Sequence, residues 1–593
     1  MRTTPPPVIH ILKDFLPLKG YFSENRWALA GGLLSLLTVD FLQLLIPLVI
    51  KRAVDSLTYK EATHGILLVC GLMILGIAFL IALFRYIWRL LLFGHSRKVE
   101  ESLRNRLYSH LQTLPFSFYQ KTKTGDIMAR ATNDIDAIRM ATGMGLVALT
   151  DGVVLGVAAI GFMIYINLKL TLIALTPSPV LICLARILTR RMSTGYEKVQ
   201  KSFSALTERV REAFSGIRVI KAYCRESWEQ GRVRKEGENY IHENMALART
   251  IAFFFPMMAV FTNAGLAIAI WFGGRLTVLG HMTAGDFVAF IGYLGLLTWP
   301  MLAMGWVTNL IQRGAASMRR IKSILDEVPE ISDPPVPRQG AKIVGSIRFR
   351  SLSFCYAGRP YHALKDIDLA IEAGQTVAVV GSVGSGKTTL LQCIPRFINF
   401  SGGEVLIDGV DVRDMALRRL RESIGFATQE AFVFSDTVRN NVLFGRDKLS
   451  GSLEQVLSLA RIYDDIQDMD HGLETLLGER GITLSGGQRQ RLTIARALLS
   501  NPAILILDDA LSMVDTRTEE QILKGILEAR RNRTNLIVSH RLSTISRADL
   551  IVVLKEGRVV EMGEHGSLMQ MGKEYGRLYE KQLLAQELEV GTG

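Results

Sequence analysis

The run Gly381-Ser382-Val383-Gly384-Ser385-Gly386-Lys387-Thr388, continued by Thr389, follows the apolar stretch Thr376–Val380 and opens a helical stretch. In that strand-to-helix setting it reads as a phosphate-binding loop of the Walker A pattern rather than a glycine-rich turn. The glycines let backbone N–H groups wrap phosphate oxygens, Lys387 reaches the β and γ phosphates, and the Thr388 hydroxyl is placed to hold Mg²⁺. Downstream, Asp508 ends the apolar run Ala503–Leu507 and offers a carboxylate to the same ion. Between them lies Leu484-Ser485-Gly486-Gly487-Gln488, ahead of an apolar helix; Ser485 and the two glycines present donors near a helix start, suited to anchoring a phosphate. Cys70, Cys183, Cys224, Cys355 and Cys393 are scattered without a CxxC pair, which speaks against a disulfide scaffold or a zinc site and for buried or inert thiols.

Most of the chain serves other ends. Its 593 residues are 49% hydrophobic and 21% charged, with a mean hydropathy of +0.23, too oily for a soluble enzyme. Six apolar stretches approach the roughly 20 residues that a bilayer core requires. They lie near Trp27–Val54, Gly65–Leu92, Met144–Leu168, Thr171–Leu188, Ile251–Gly274 and Phe287–Leu310. The first is long enough to span without a cleaved signal. The connection after the second stretch carries Arg97, Lys98, Arg104, Arg106, Lys121, Lys123, Arg130 and Arg139, against Lys60 alone after the first. The long connections are therefore expected on the cytoplasmic side, and the net charge of +13 is partly a topology signal, not a nucleic-acid surface. Ahead of the first stretch, Val8, Ile9, Leu12, Phe15 and Leu16 recur at helical spacing, as expected of an interfacial helix over 1–26; a disordered leader is the alternative, because Pro17 and Gly20 shorten the helix. The membrane region is expected over 27–327. Prolines 329, 334, 335 and 337 mark a linker over 328–343, and strands alternating with helices make 344–593 an α/β domain.

Phosphate loop, Asp508 and LSGGQ together resemble the ATP-binding cassette transporters, over essentially the whole chain. The resemblance implies an α-helical exporter-type membrane domain of six transmembrane helices fused to an α/β P-loop nucleotide-binding domain. It also implies ATP and Mg²⁺ as cofactors, and two cassettes pairing head to tail so that each nucleotide lies between one subunit's phosphate loop and the other's signature, Gln488 included. By the same resemblance Tyr356 stacks on adenine, Gln429 senses Mg²⁺ and the membrane domain, and His540 contacts the γ-phosphate. Gly478-Glu479-Arg480-Gly481 resembles the cross-talk loop of exporters, and Asp515 the D-loop aspartate, although Met513 departs from the usual small residue. Phe118–Ile138 and Phe214–Glu229 resemble the two cytoplasmic loops that carry coupling helices.

One departure bears on catalysis. The family's general base is a glutamate directly after the Asp508 position, and here it is Asp509, one methylene shorter. A carboxylate drawn back by about 1.5 Å leaves water beyond its reach, and a misplacement of about 1 Å can cost on the order of 10²-fold. Together with the intact LSGGQ this resembles the degenerate-site subunit of heterodimeric bacterial multidrug exporters. The chain is then expected in the inner membrane, with cassette and termini cytoplasmic, beside a different half-transporter carrying the glutamate. Its substrates would be amphipathic drugs or lipids. A homodimeric lipid floppase, an importer of metal-chelate ligands and a channel-like module remain as alternatives. Within the spans, Asp40, Asp151, Arg85 and Arg89 are either substrate contacts or structural and snorkelling charges. Trp299, Pro300, Met301, Met304 and Trp306 are either a drug-adaptable wall or ordinary helix packing.

Overall fold

The computed structural model describes residues 13–59, 63–338, 342–356, 358–400, 402–446, 452–478, 481, 483–539, 541 and 545–591. Two compact units emerge, one ending at Gln112 and resuming over Lys123–Glu327, the other combining Thr113–Thr122 with the chain from Val328 onward.

The first unit is helical throughout. Among the described residues four helical runs, local irregularities included, are long and apolar enough to cross a membrane, Arg26–Thr58, His64–Thr113, Thr124–Ile166 and Leu168–Ser215. The fifth and sixth expected stretches also fall in helices, the fifth in Glu226–Ile268 and its continuation, the sixth in Ala284–Leu296 and Thr298–Leu325. The fourth stretch is not one uninterrupted helix. It breaks between Leu168–Ala174 and Pro177–Ser215, because Pro177 has no N–H for the preceding turn and suits a first helical position. Helices Pro177–Ser215 and Glu226–Ile268, 39 and 43 residues long, run well past a bilayer's thickness at about 1.5 Å per residue. They pack on each other through Asn239 Nδ2 donating to Ser202 Oγ (3.2 Å) and through the Phe203 and Tyr240 rings. Between them is the short helix Ile217–Ala222, with no buried residue.

Polar contacts hold these helices together where apolar packing alone gives no direction. Tyr293 Oη donates to the Leu44 carbonyl at 2.8 Å, one turn ahead of Pro47, whose ring interrupts the ladder of the first helix. Buried Asp134 accepts from Ser317 Oγ (2.9 Å) and Arg320 Nε (2.8 Å) on Thr298–Leu325. Asp40 is 1% exposed, neither of its carboxyl oxygens meets a donor among the described residues, and Asp151 and Arg85 are its charged neighbours. Arg89 lies over the Trp88 ring at 5.7 Å. Trp299 and Trp306 are exposed in the single chain, while the side chains of Met301 and Met304 lie outside the described residues. So do Val8, Ile9 and Leu12 of the expected interfacial helix. The described part beyond them is helical over Leu16–Leu18 and Lys19–Glu24; Pro17 sits in the first turn, where its missing N–H costs nothing.

The second unit is built on two sheets. The smaller has the order β2 (Leu364–Ile371), β1 (Ile347–Phe354), β4 (Gly402–Ile407), β5 (Val410–Asp411), all antiparallel. The larger has the order β10 (Arg558–Gly563), β9 (Leu550–Lys555), β3 (Thr376–Val380), β8 (Thr534–Val538), β7 (Ile504–Asp508), β6 (Ile424–Ala427). Its strands are parallel except β10, and β3, β7 and β8 are buried at every position, as strands covered on both faces must be. The thiols divide: Cys70 and Cys393 are buried, Cys355 is half-buried, and Cys183 and Cys224 are exposed.

Gly425 on β6 fixes how closely the signature helix Gly486–Leu499 packs on the larger sheet. A Cβ there would stand 2.5 Å from the Ala497 carbonyl oxygen and 2.8 Å from Pro502. Gly425→Ala is expected to destabilise the second unit by about 1–3 kcal/mol, the range for overpacking. Denaturant unfolding of the full-length variant against wild type checks this.

Candidate nucleotide site

Strands β6, β7, β8 and β3 are parallel neighbours, so their carboxyl ends open on one edge of the sheet. That edge is where ligands bind in open α/β sheets. β3 delivers the phosphate loop there, β7 delivers Asp508 and Asp509, and β6 delivers Gln429 two residues beyond its end. His540, two residues beyond β8, lies outside the described residues, as do Glu479 and Arg480.

The phosphate loop turns from β3 into the helix Lys387–Cys393 through glycines that no other residue replaces. Gly381 has φ +151° and Gly386 φ +103°; a Cβ on the first would overlap the Leu554 carbonyl, and one on the second would lie 2.7 Å from the Ala363 carbonyl. Val383 and Ser382 are exposed at the loop's tip, whereas Ser385 is buried and its backbone carbonyl accepts from Gly557 N at 3.1 Å. Lys387 is 8% exposed and folds its Nζ onto the loop's own carbonyls, Gly381 at 2.8 Å and Ser382 at 2.9 Å. Burial pulls its ammonium below the usual lysine range, against the opposing pull of Asp509 and Asp508.

Thr388 Oγ1 donates to Asp508 Oδ1 at 3.1 Å, so the two groups read as metal-binding are already in contact. Asp508 is 3% exposed, and burial raises its carboxyl above the ordinary range more than Thr388 and Lys387 lower it. A hydroxyl and one carboxylate, completed by phosphate oxygens and water, suit Mg²⁺; no cluster of three metal-ligating side chains occurs among the described residues. Asp509 sits at φ +51°, its carboxylate accepting from Gln429 Nε2 at 3.1 Å. Tyr356 Oη shares a hydrogen bond of 3.0 Å with Thr389 Oγ1, fixing the aromatic beside the phosphate-loop helix.

A cavity of about 510 Å³ joins Gly384, Ser385, Gly386, Lys387, Thr388 and Thr389 to Tyr356, Arg359, Tyr361 and His362, and to Glu556 and Gly557 of the β9–β10 turn. Sequence reading missed the last five. They belong to no motif, and only hydrogen bonds across the fold, such as Lys365 N to the Gly557 carbonyl (2.7 Å), bring them in. A second cavity, about 560 Å³, lies between the short helix Phe116–Lys121 and Phe354, Tyr356, Arg359 and Phe397. The first expected coupling segment thus contributes a helix that packs into the cassette's own unit.

The signature lies elsewhere on the cassette. Ser485 caps Gly486–Leu499 in a reciprocal box: its Oγ accepts from Gln488 N at 3.2 Å, and Gln488 Oε1 accepts from Ser485 N at 2.9 Å. Gln488 Nε2 also donates to Asp465 (2.8 Å), so this side chain, read as nucleotide-binding, is engaged in shaping the helix start. Gly486 and Gly487 open onto a cavity of about 450 Å³ with Met513 and Asp515, and a Cβ on Gly486 would meet Met513 Sδ at 2.6 Å. Asp515 caps the next helix through Thr518 N (2.9 Å). This cavity shares no lining residue with the phosphate-loop cavity.

The electrostatics give a pH test. Above its raised folded value Asp508 is a buried anion that weakens the fold; below the ordinary carboxylate range it is protonated folded and unfolded alike, and the penalty vanishes. Asp508→Asn is therefore expected to stabilise the nucleotide-free protein by about 1 kcal/mol at neutral pH, with the gain disappearing in acid. Thermal unfolding of both forms across pH checks it.

Models of two families match the chain, the ABC transporter transmembrane region over 29–301 and the ABC transporter family over 364–512. The probable multidrug resistance ABC transporter ATP-binding/permease protein YheI of Bacillus subtilis is 36% identical over 580 residues, covering 97% of this chain and 98% of its own. The ATP-dependent lipid A-core flippase of Syntrophus aciditrophicus is 37% identical over 496 residues, 84% of this chain and 82% of its own. A bacterial Atm1-family ABC exporter solved with ATP bound superposes with a TM-score of 0.77 at 27% identity, covering 94% of this chain and 98% of that one. With the phosphate loop, Asp508 and the signature set on the sheet described, the chain belongs to the ATP-binding cassette transporters as an exporter-type half-transporter, a membrane domain fused to an ATPase cassette that drives transport.

Proposed function

We propose that this chain is one half of a heterodimeric exporter of amphipathic small molecules, and that it holds ATP in a site of little hydrolytic power. The observation that carries the reading is Asp509, one methylene short of the family's glutamate and engaged by Gln429 Nε2 at 3.1 Å. A carboxylate so retracted and so occupied is poorly placed to take a proton from water at the γ-phosphate. Lys387, Thr388 and Asp508 are intact, which supports firm nucleotide binding. Bound Mg²⁺ would be held by Thr388 and Asp508 and would neutralise phosphate charge. Lys387 would exchange the Gly381 and Ser382 carbonyls for phosphate oxygens, and Tyr356 would face the adenine. Gln429 and the loop carrying His540 would report the γ-phosphate.

The phosphate-loop and signature cavities share no lining residue on one chain, which supports a second cassette closing each of them. The half-buried glycines of Leu484–Gln488, with exposed Ser485, would then complete the partner's site, where a glutamate hydrolyses ATP. Closure would be passed to the membrane helices through Phe116–Lys121 and Ile217–Ala222, with the cassettes on the cytoplasmic side of the inner membrane. The similarity to YheI favours drug-like substrates. The similarity to the lipid A-core flippase supports a second reading, a homodimer that moves lipids with Asp509 as a working base.

ATP turnover of the purified chain in lipid separates the two. The heterodimer reading expects Mg-ATP binding with turnover far below about 1 per second, and a rise of about 10- to 100-fold on Asp509→Glu. Wild-type turnover at or above that rate, with no gain from the glutamate, would overturn it in favour of the homodimer.

A further inference from the structure

Tyr356 and the phosphate loop leave part of the 510 Å³ nucleotide cavity unexplained, because Arg359, Tyr361 and His362 also line it and no motif includes them. Arg359 NH1 donates to Tyr361 Oη at 2.8 Å, and its guanidinium carbon lies 5.8 Å from the centre of the same ring. No carboxylate neutralises Arg359 among the described residues. An arginine turned by a tyrosine, and in no ion pair among the described residues, presents a planar weakly hydrated cation to whatever fills the cavity. Phosphates on Gly384–Thr389 fix one end of a nucleotide, and its base is the flat, electron-rich part that remains for the other lining residues. A guanidinium stacks favourably on such a face.

We propose that Arg359, oriented by Tyr361, recognises the nucleotide base alongside Tyr356. This rests on the nucleotide-binding reading above and adds a base-specific contact to it. Both residues are exposed at the rim of the cavity, so replacing them leaves the cassette core untouched.

The test compares equilibrium binding of Mg-ATP and of Mg-tripolyphosphate, which has no base, to the full-length protein in lipid. Arg359→Ala is expected to weaken ATP binding by about two- to five-fold, the range of an exposed cation–π contact, and to leave tripolyphosphate unchanged. Arg359→Lys, which keeps the charge but not the plane, should recover part of the loss, and Tyr361→Phe should fall between wild type and Arg359→Ala. Equal weakening of both ligands would reduce Arg359 to a general positive charge and overturn the proposal, as would unchanged ATP binding. Should the wild-type protein bind neither ligand, the nucleotide site itself falls; should it bind both while the variants do not discriminate, only the assignment of Arg359 falls.

Discussion

Parallel strands point the same way, and each must be followed by a crossover before the next begins, so the residues that leave their carboxyl ends collect on one edge however far apart they are in sequence. In this cassette that constraint brings together Lys387, Gln429 and Asp508, whose strands β3, β6 and β7 are buried among apolar neighbours. Asp508 ends its strand as a buried carboxylate held by the Thr388 hydroxyl. The smaller sheet then carries Tyr356 to the same cavity, and the β9–β10 turn closes over the loop through Gly557.

Burial sets the two charged groups of the site against their surroundings. Lys387 and Asp508 are each buried with their charged forms disfavoured, and the contacts they make, loop carbonyls for one and a hydroxyl for the other, replace only part of the water they have lost. A ligand bringing both negative phosphates and a cation relieves both at once, which gives binding free energy for closing a cassette. Catalysis asks for something different, a carboxylate at the right distance from water. Asp509 adds a negative charge beside both groups and stands where the family places its glutamate.

Local signals were legible where they involve consecutive residues. A strand, a glycine turn and a helix start are written within Thr376–Thr389, and the cap and box of the signature within Ser485–Gln488. Even there the contact of Gln488 with Asp465 was not, because it depends on a residue more than twenty positions away. The break at Pro177 was available in the text and outweighed by the apolar composition around it.

The sequence alone determined the family, the two-part organisation, the phosphate loop and the missing methylene at Asp509, since each is carried by residue type and short-range spacing. Tertiary structure decided what those residues touch. It set Gln429 against Asp509, Tyr356 against Thr389, and Arg359 and Gly557 into the nucleotide cavity, and it gave the phosphate loop and the signature separate cavities. The physical reason is that covalent neighbours fix backbone direction over a few residues, whereas contacts across the fold follow from strand order and packing, which no short stretch of the chain contains.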